Sequence, residues 1–159
     1  MLTAHLPSGY CLGKLSGLHG LAFSAAIAGA VLPDADILFF YFVDHKAIHH
    51  HRYWVHVPFF WAVVASVALP LLWRSRHRPA ALAFFAAIFM HLILDSIGGG
   101  IMWLAPFNNE LSGFVTVPPR YSNWVLSFLL HWTIVFEFLI WAGAACIFAK
   151  GRRRGQMTF

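Results

Sequence analysis

The sequence predicts an all-α integral membrane protein, a bundle of about four transmembrane helices in a single domain over residues 1–159. Of its 159 residues, 60% are hydrophobic and only 11% are charged, and the mean hydropathy is +0.68. A soluble domain has about 25% charged residues, so a soluble chain of this composition could not cover its surface with polar groups. In addition, the apolar residues fall in long runs, separated by short clusters of basic residues.

Four apolar runs account for the predicted transmembrane helices. They comprise residues 15–32, 57–73, 79–97 and 124–149. Pro33 interrupts the first run, and the apolar patch at 37–43 either continues that helix past a kink or lies at the membrane interface. Residues 1–14 form a short mixed segment, and the short apolar stretch 101–107 is interfacial or re-entrant.

The basic residues predict the orientation of the chain in the membrane, because cytoplasmic loops carry an excess of lysine and arginine. An inner membrane location with both termini in the cytoplasm puts most of these residues inside, namely Lys14, Arg74, Arg76, Arg78, Lys150, Arg152, Arg153 and Arg154. Only Lys46, Arg52 and Arg120 then lie outside. This clustering fits membrane topology better than nucleic-acid binding, despite the net charge of +5.

Ionisable residues concentrate in two places within this apolar sequence. Residues 32–56 contain Asp34, Asp36 and a dense run of histidines, and the third apolar run ends with His91 and Asp95. Carboxylates and imidazoles are the side chains that hold divalent metals. The predicted topology brings both stretches to the outer face, which indicates one metal site there.

His91 and Asp95 are four residues apart, so a helix places them on one face, where they can bind one metal or form an interfacial hydrogen bond. Asp34 and Asp36 would splay apart on an α-helix, but an extended or kinked segment after Pro33 can turn both one way. The alternative for this pair is a solvated helix end.

The histidine run offers further ligands, of which His56 is the best placed, because it precedes the second transmembrane run directly, and His51 is the next candidate. Arg52 can hold a phosphate or carboxylate through its planar fork, or it can anchor the chain among lipid headgroups.

The ordered motifs resemble the YdjM-like family of inner-membrane, metal-dependent hydrolases. The pattern here is Leu32-Pro33-Asp34-Ala35-Asp36, then His51-Arg52 with Val55-His56, then His91-Leu92 with Asp95, followed by Gly98–Gly100 and Pro106-Phe107. The family in turn is distantly similar to zinc-dependent phospholipase C and P1-type nucleases, which cleave phosphoesters.

The resemblance implies a membrane-bound, metal-dependent hydrolase acting on a small-molecule or lipid phosphoester among membrane lipids. The ligands for one or two divalent ions, either Zn or alternatively Mn or Fe, are then Asp34, Asp36, His51, His56, His91 and Asp95. Asp36 and Arg52 are the candidate catalytic residues. An early family histidine matches His5 or, as the second choice, His19, although the predicted topology puts His5 on the opposite side of the membrane. Val55 replaces the family's threonine, so that hydroxyl is absent.

Two ionisable residues lie inside the predicted fourth helix. His131 is near its outer end and is a further candidate ligand, and Glu137 lies in its interior, where glutamates are often functional. A buried hydrogen bond between helices is the structural alternative for both residues. They also support a second hypothesis, a metal or proton translocator that uses the outer cluster as its entrance and His131 and Glu137 as its path.

Overall fold

The computed structural model describes residues 3–153 and 155, and it confirms the all-α membrane class. The helices are α1 (His5–Leu15), α2 (Gly20–Val31), α3 (Ile37–Phe42), α4 (Pro58–Leu72), α5 (Arg78–Asp95), α6 (Trp124–Leu129) and α7 (Ile134–Arg153). Short 3-10 turns cover Leu32–Asp36, His50–Arg52 and Trp54–His56. In the described part of the chain, strands β1 (Ile97–Gly98) and β2 (Val115–Thr116) have two residues each and pair in parallel.

Among the described residues, three helical segments are long and apolar enough to cross a membrane: Gly20–Phe42, Arg78–Asp95 and Ile134–Arg153. The first includes Pro33, because the 3-10 turn joins α2 to α3 and the proline occupies a first-turn position where its missing N–H costs little. The apolar patch after Pro33 therefore continues the helix. At 15 residues, α4 spans only about 22 Å, so the predicted number of four crossings stays a prediction.

The sequence predicts a short mixed segment before residue 15, but the structure has helix α1 there. Gly9 and Gly13 face α2 so closely that a Cβ on Gly9 would lie 2.6 Å from the Ala30 Cβ, and one on Gly13 would lie 2.5 Å from the Phe23 ring. Small residues at this spacing let two helices approach closely within a membrane. The result is an antiparallel helical hairpin of α1 and α2.

Helices α2 and α5 pack against each other in parallel at the centre of the fold. Gly29 makes this possible, because a Cβ there would lie 2.3 Å from the Phe84 carbonyl oxygen and 3.1 Å from the Ala87 Cβ. On the far side of α5, residues of α4 complete a buried apolar core of Trp61, Ala65, Phe85, Ile88, Leu92 and Ile101.

Gly29→Ala is therefore expected to lower the free energy of unfolding by roughly 1–3 kcal/mol, because the new methyl group meets backbone that cannot move aside. Gly143→Ala on α7 is the matched control, since nothing lies within 4 Å of its added Cβ. Thermal unfolding in detergent checks both variants. Equal melting temperatures for the two would contradict the tight α2–α5 contact.

The predicted fourth helix is interrupted between α6 and α7. The His131 Nδ1 lies 3.0 Å from the Thr133 hydroxyl oxygen, and it accepts a hydrogen bond from the Thr133 backbone N–H at 3.5 Å. These contacts compete with the hydrogen bonds of a continuous helix. Glu137 consequently lies in the first turn of α7, not in the middle of a long helix. Negative charge in a first turn is stabilised by the helix dipole.

The helix ends lie at two opposite ends of the bundle. We call the "site end" the level where α1 begins, α2 and α5 finish, and α4 begins. The opposite "basic end" carries Lys14, Arg74, Arg76, Arg78, Lys150, Arg152 and Arg153, and Arg154 lies outside the described residues. The described chain starts at the site end, since the Thr3 N–H donates to Glu137 at 2.7 Å, and α7 runs from there to the basic end. The predicted location of both termini in the cytoplasm stays a prediction.

Candidate metal centre

Histidine and aspartate side chains from five segments meet at the site end. His5 comes from the first residue of α1, Asp34 from the 3-10 turn after α2, and His91 and Asp95 from the end of α5. The two 3-10 turns before α4 add the remaining histidines, His50, His51 and His56. All of these side chains are buried or partly buried, and Asp34, with 23% of its side chain exposed, faces outward most among the aspartates.

The Asp95 carboxylate lies at the centre of this cluster. Its Oδ1 is 3.0 Å from His5 Nε2, and its Oδ2 is 2.9 Å from His91 Nε2. The same Oδ2 is 3.5 Å from His56 Nε2 and 3.8 Å from His51 Nε2. The predicted one-face relation of His91 and Asp95 thus holds, and four imidazoles turn their Nε2 atoms toward one carboxylate.

The other ring nitrogen of three of these histidines has an oxygen partner. Nδ1 of His91 lies 2.8 Å from the Ala30 carbonyl oxygen, and Nδ1 of His51 lies 2.8 Å from the Gly100 carbonyl oxygen. Because a carbonyl oxygen only accepts, each Nδ1 carries the proton and donates it. A neutral ring then keeps its lone pair on Nε2, which faces Asp95, and this is the tautomer that binds a metal.

The sequence predicts Asp36 as a metal ligand, but the structure gives it a different position. Its Oδ2 accepts a hydrogen bond from His56 Nδ1 at 2.7 Å, so it lies behind His56, away from the point where the Nε2 atoms converge. Because 3-10 geometry turns the chain by about 120° per residue, Asp34 and Asp36 point in different directions. Carboxylates in this position orient a metal-binding histidine and raise its basicity.

His5 belongs to the cluster, which corrects the prediction that it lies on the other side of the membrane. Besides its contact with Asp95, its ring stacks on His91 with 3.8 Å between ring centroids. The sequence prediction failed because α1 is only 11 residues long, which is too short for hydropathy to identify it as a transmembrane segment.

The donor set fits a divalent metal. Two groups have ligand atoms that lie within 4.8 Å of one another: an acidic group of His5, Asp34, His91 and Asp95, and a histidine group of His50, His51 and His56. His56 Nε2 and His91 Nε2, 3.4 Å apart, join the two groups. Buried carboxylates are costly without a compensating positive charge, and a divalent ion would supply it.

Asp36 and His50 give a second indication of a cation. Asp36 Oδ1 and His50 Nδ1 are buried and have no hydrogen-bond partner among the described residues, and 3.7 Å separates them, which is beyond hydrogen-bond distance. Two facing polar atoms at this separation leave room for an additional bonding partner.

The environments of His51 and His56 shift their pKa values in opposite directions. Burial lowers the pKa of His51 well below its usual value, which keeps the ring neutral. Burial also acts to lower the pKa of His56, but hydrogen bonds and charge from Asp36 and Asp95 outweigh it and raise that pKa to about 9. Without a metal, His56 therefore carries a proton at neutral pH.

We expect metal binding to weaken as the pH falls below about 9, by roughly tenfold per pH unit, because the ion must displace the His56 proton. Calorimetric titration with Zn²⁺ in buffers of different ionisation enthalpy measures the protons released. Asp36→Asn is the informative variant, since loss of the charge returns the His56 pKa toward its usual value and reduces proton release at pH 8. Release of no proton by the wild type at pH 8 would contradict the assignment.

A cavity of ≈ 300 Å³ opens beside the cluster. Asp34, His50 and His51 border it, together with Gly98 and Gly99. Apolar side chains complete the lining, namely Ile37, Phe40, Trp124 and Phe128. Asp34, His50 and His51 are therefore accessible to a small molecule or to part of a larger one.

Two other candidate residues lie outside both ligand groups. The His131 ring contacts Thr133, and this histidine is in neither group among the described residues. Arg52 follows His51, but its side chain is exposed and does not border the cavity. The predicted role of Arg52 toward an anion stays a prediction.

The sequence did not single out two contributors to the site. His50 joins the histidine group, and only the density of the histidine run pointed to it. Gly99 lets His51 approach, because a Cβ on Gly99 would lie 2.5 Å from the His51 Cε1. The sequence indicated the glycine run only as part of the family motif, and its position directly after His91 and Asp95 was the available signal.

The fold and the cluster define a helical membrane protein with a buried histidine and aspartate centre that can hold a metal ion. The chain belongs to the YdjM inner membrane protein family, whose sequence model matches residues 1–157. The resemblance predicted from the motifs is thus confirmed, and so is the inner membrane location of the family. No curated protein and no solved structure matches the chain. The more distant similarity to phospholipase C and P1-type nucleases has no support from these comparisons.

Proposed function

We propose that this protein is a membrane-embedded, metal-dependent hydrolase that cleaves a phosphoester at the face of the inner membrane. The observation that carries the proposal is the convergence of four histidine Nε2 atoms on the Asp95 carboxylate, next to a cavity that is lined by one of these histidines, His51, and by Asp34. A purely structural cluster has no need of an adjoining cavity. Candidate sites with convergent polar groups beside a pocket are typical of enzymes.

The side chains divide into ligands and residues that orient them. His5, His51, His56, His91 and Asp95 would hold the metal, and the two adjoining groups provide enough donors for one or two ions. The imidazole-rich set favours Zn²⁺, with Mn²⁺ or Fe²⁺ as alternatives. A bound divalent ion would polarise the phosphoryl oxygens and lower the pKa of a bound water.

Asp34 is the carboxylate best placed to take part in the reaction itself. It belongs to the acidic group, it borders the cavity, and part of its side chain is exposed there. In the hydrolysis, the oxygen of a water forms a new bond to phosphorus, the bond to the leaving alcohol breaks, and the alcohol oxygen takes a proton. Asp34 would accept the proton from the water and return it to the leaving oxygen.

Asp36 and Arg52, the other two candidate residues, have supporting roles in this proposal. Asp36 would hold His56 in orientation through its 2.7 Å hydrogen bond. Arg52, exposed beside His51, would contact the anionic group of an arriving substrate. Arg52→Lys would then raise KM, because lysine lacks the planar fork, and it would have the smaller effect on the metal content.

The proposed orientation puts the site end on the outer side of the inner membrane. Basic residues cluster at the other end of the helices, which by the positive-inside rule is cytoplasmic. The carboxyl terminus after α7 then lies in the cytoplasm, and the described start of the chain, at Thr3, lies outside. Reporter fusions after Phe159 test this orientation.

The alternative of a metal or proton translocator needs a polar path to the basic end. Toward that end, the α7 sequence from residue 138 to 149 and the α5 sequence from 79 to 90 contain no ionisable residue except Cys146. His131 and Glu137, the predicted path residues, bind Thr133 and Thr3 close to the site end. These observations favour the hydrolase.

Turnover of phosphoesters by the purified, metal-replete protein tests the proposal. We expect Asp95→Asn to lower turnover by at least ~100-fold, since residues that only orient ligands already contribute roughly 10–100-fold. His77→Ala, an exposed histidine at the basic end, is the matched control and should leave the rate unchanged. Absence of hydrolysis across a panel of soluble and lipid phosphoesters, with metal bound, would refute the hydrolase.

A further inference from the structure

We propose that the substrate is a membrane amphiphile whose anionic head reaches Asp34 and His51 while its apolar chain lies between α3 and α6. This inference rests on the proposed hydrolase function and specifies its substrate class. Three features carry it: the depth of the metal centre, the mixed polar and apolar lining of the cavity, and the exposed apolar surface around its mouth.

The metal centre lies below the end of the first membrane-spanning segment. That segment runs from Gly20 to Phe42, so it extends eight residues, or about 12 Å, beyond Asp34 toward the outer side. Every residue of α3 is apolar or aromatic, and none of them is buried. An exposed helix of this kind is stable in contact with lipid, which puts the cluster at a depth where substrates arrive from the membrane.

The cavity is lined by polar and by apolar side chains. The polar ones are Asp34, His49, His50 and His51, and the apolar ones are Ile37, Phe40, Trp124 and Phe128. A free inorganic anion or a sugar phosphate would gain nothing from the apolar part of the lining. An amphiphile matches both parts, because its ester sits against the polar side chains and the first part of its chain packs against the rings.

The backbone leaves room for an aromatic ring in this lining. Gly98 has a positive φ of 110°, and a Cβ there would lie 2.9 Å from the Phe128 ring. The neighbouring Gly99 makes the corresponding room for the His51 ring. One glycine turn thus places a metal-ligand candidate, His51, and an apolar lining residue, Phe128, side by side on the cavity.

The mouth of the cavity opens among exposed apolar side chains. Leu38 and Phe39 on α3 and Leu126 and Leu129 on α6 are exposed on the two helices that border it. Because unshielded apolar groups of this density are stable only in lipid, a chain can leave the bilayer sideways and enter the cavity without crossing water.

A photoreactive probe tests the inference without needing turnover. The probe is a dodecylphosphonate with a diazirine in the middle of its chain, and its C–P bond resists hydrolysis. In metal-replete protein in liposomes, we expect saturable labelling within residues 37–40 and 124–128, which excess unlabelled dodecylphosphonate suppresses. Labelling spread evenly over α4 and α7 without competition would overturn the inference.

Two tryptophans of similar exposure provide the matched comparison. Trp124 borders the cavity and is 54% exposed, whereas Trp132 is 57% exposed and is absent from the cavity lining. Trp124→Ala should lower the saturable labelling by roughly three- to tenfold, the effect of losing an aromatic contact, and Trp132→Ala should leave it unchanged. Equal labelling in both variants would overturn the amphiphile assignment.

The outcome is separable from that of the hydrolase proposal. Saturable labelling in a protein that hydrolyses no phosphoester supports the amphiphile site and refutes the hydrolase. Hydrolysis of a soluble aryl phosphodiester without saturable labelling supports the hydrolase and refutes the amphiphile site.

Discussion

His91→Ala is expected to remove most of the divalent metal from the purified protein and to weaken its metal affinity by at least ~100-fold. His91 is fully buried, its Nε2 is 2.9 Å from Asp95 Oδ2, and its Nδ1 is held by the Ala30 carbonyl. Loss of this ring removes a donor that the fold orients in advance. It also leaves the Asp95 carboxylate without one of its neighbours in the acidic group.

Elemental analysis after gentle purification, followed by titration with Zn²⁺, measures the effect. His77→Ala removes an exposed imidazole at the basic end and should retain the metal content of the wild type. His91→Gln is a second variant that keeps side-chain volume in the core, so that lost metal is not confused with lost folding. A wild-type protein that carries no metal and takes up none on dialysis would refute the metal centre.

The central ligands were predictable because local sequence encodes them. His91 and Asp95 share a face by helical spacing alone, and this relation is present in the structure. Asp34 and His56 stand beside predicted helix ends, so hydropathy was enough to bring them to the same membrane face. The order of these motifs also predicted the family, which the match over residues 1–157 confirms.

Long-range packing determined what the sequence did not predict. α1 has too few residues to register as a transmembrane segment, and its place beside α2 depends on the fit of Gly9 and Gly13 against another helix. The sequence therefore predicted the wrong side of the membrane for His5. Similarly, the orienting role of Asp36 depends on 3-10 geometry that hydropathy does not encode.

Glu137 illustrates how one helix break changes a residue's role. A continuous helix over residues 124–149 would put this glutamate within the membrane interior, which suggested a transport path. The interruption around Thr133 places it in the first turn of α7. There its Oε2 accepts hydrogen bonds from the Thr3 backbone N–H at 2.7 Å and from the Thr3 hydroxyl at 2.5 Å.

These contacts make Glu137 a candidate positioning residue for the proposed metal centre. Thr3 lies two residues before His5, and the Trp141 indole N–H donates to the same Thr3 hydroxyl at 3.1 Å. α7 thereby fixes the start of α1 at the point where His5 approaches Asp95 at 3.0 Å. A side chain that holds a ligand in place contributes to metal affinity without contacting the metal.

Glu137→Ala is therefore expected to weaken metal affinity by roughly 10–100-fold, as loss of an orienting contact does. Glu110→Ala, an exposed glutamate in the loop before α6, is the control and should have no effect. The decisive measurement is a double-mutant cycle with His5→Ala: because Glu137 acts through His5, its loss should matter little once His5 is gone. Additive losses in the cycle, or a lower melting temperature with unchanged metal affinity, would mean that Glu137 only stabilises the fold.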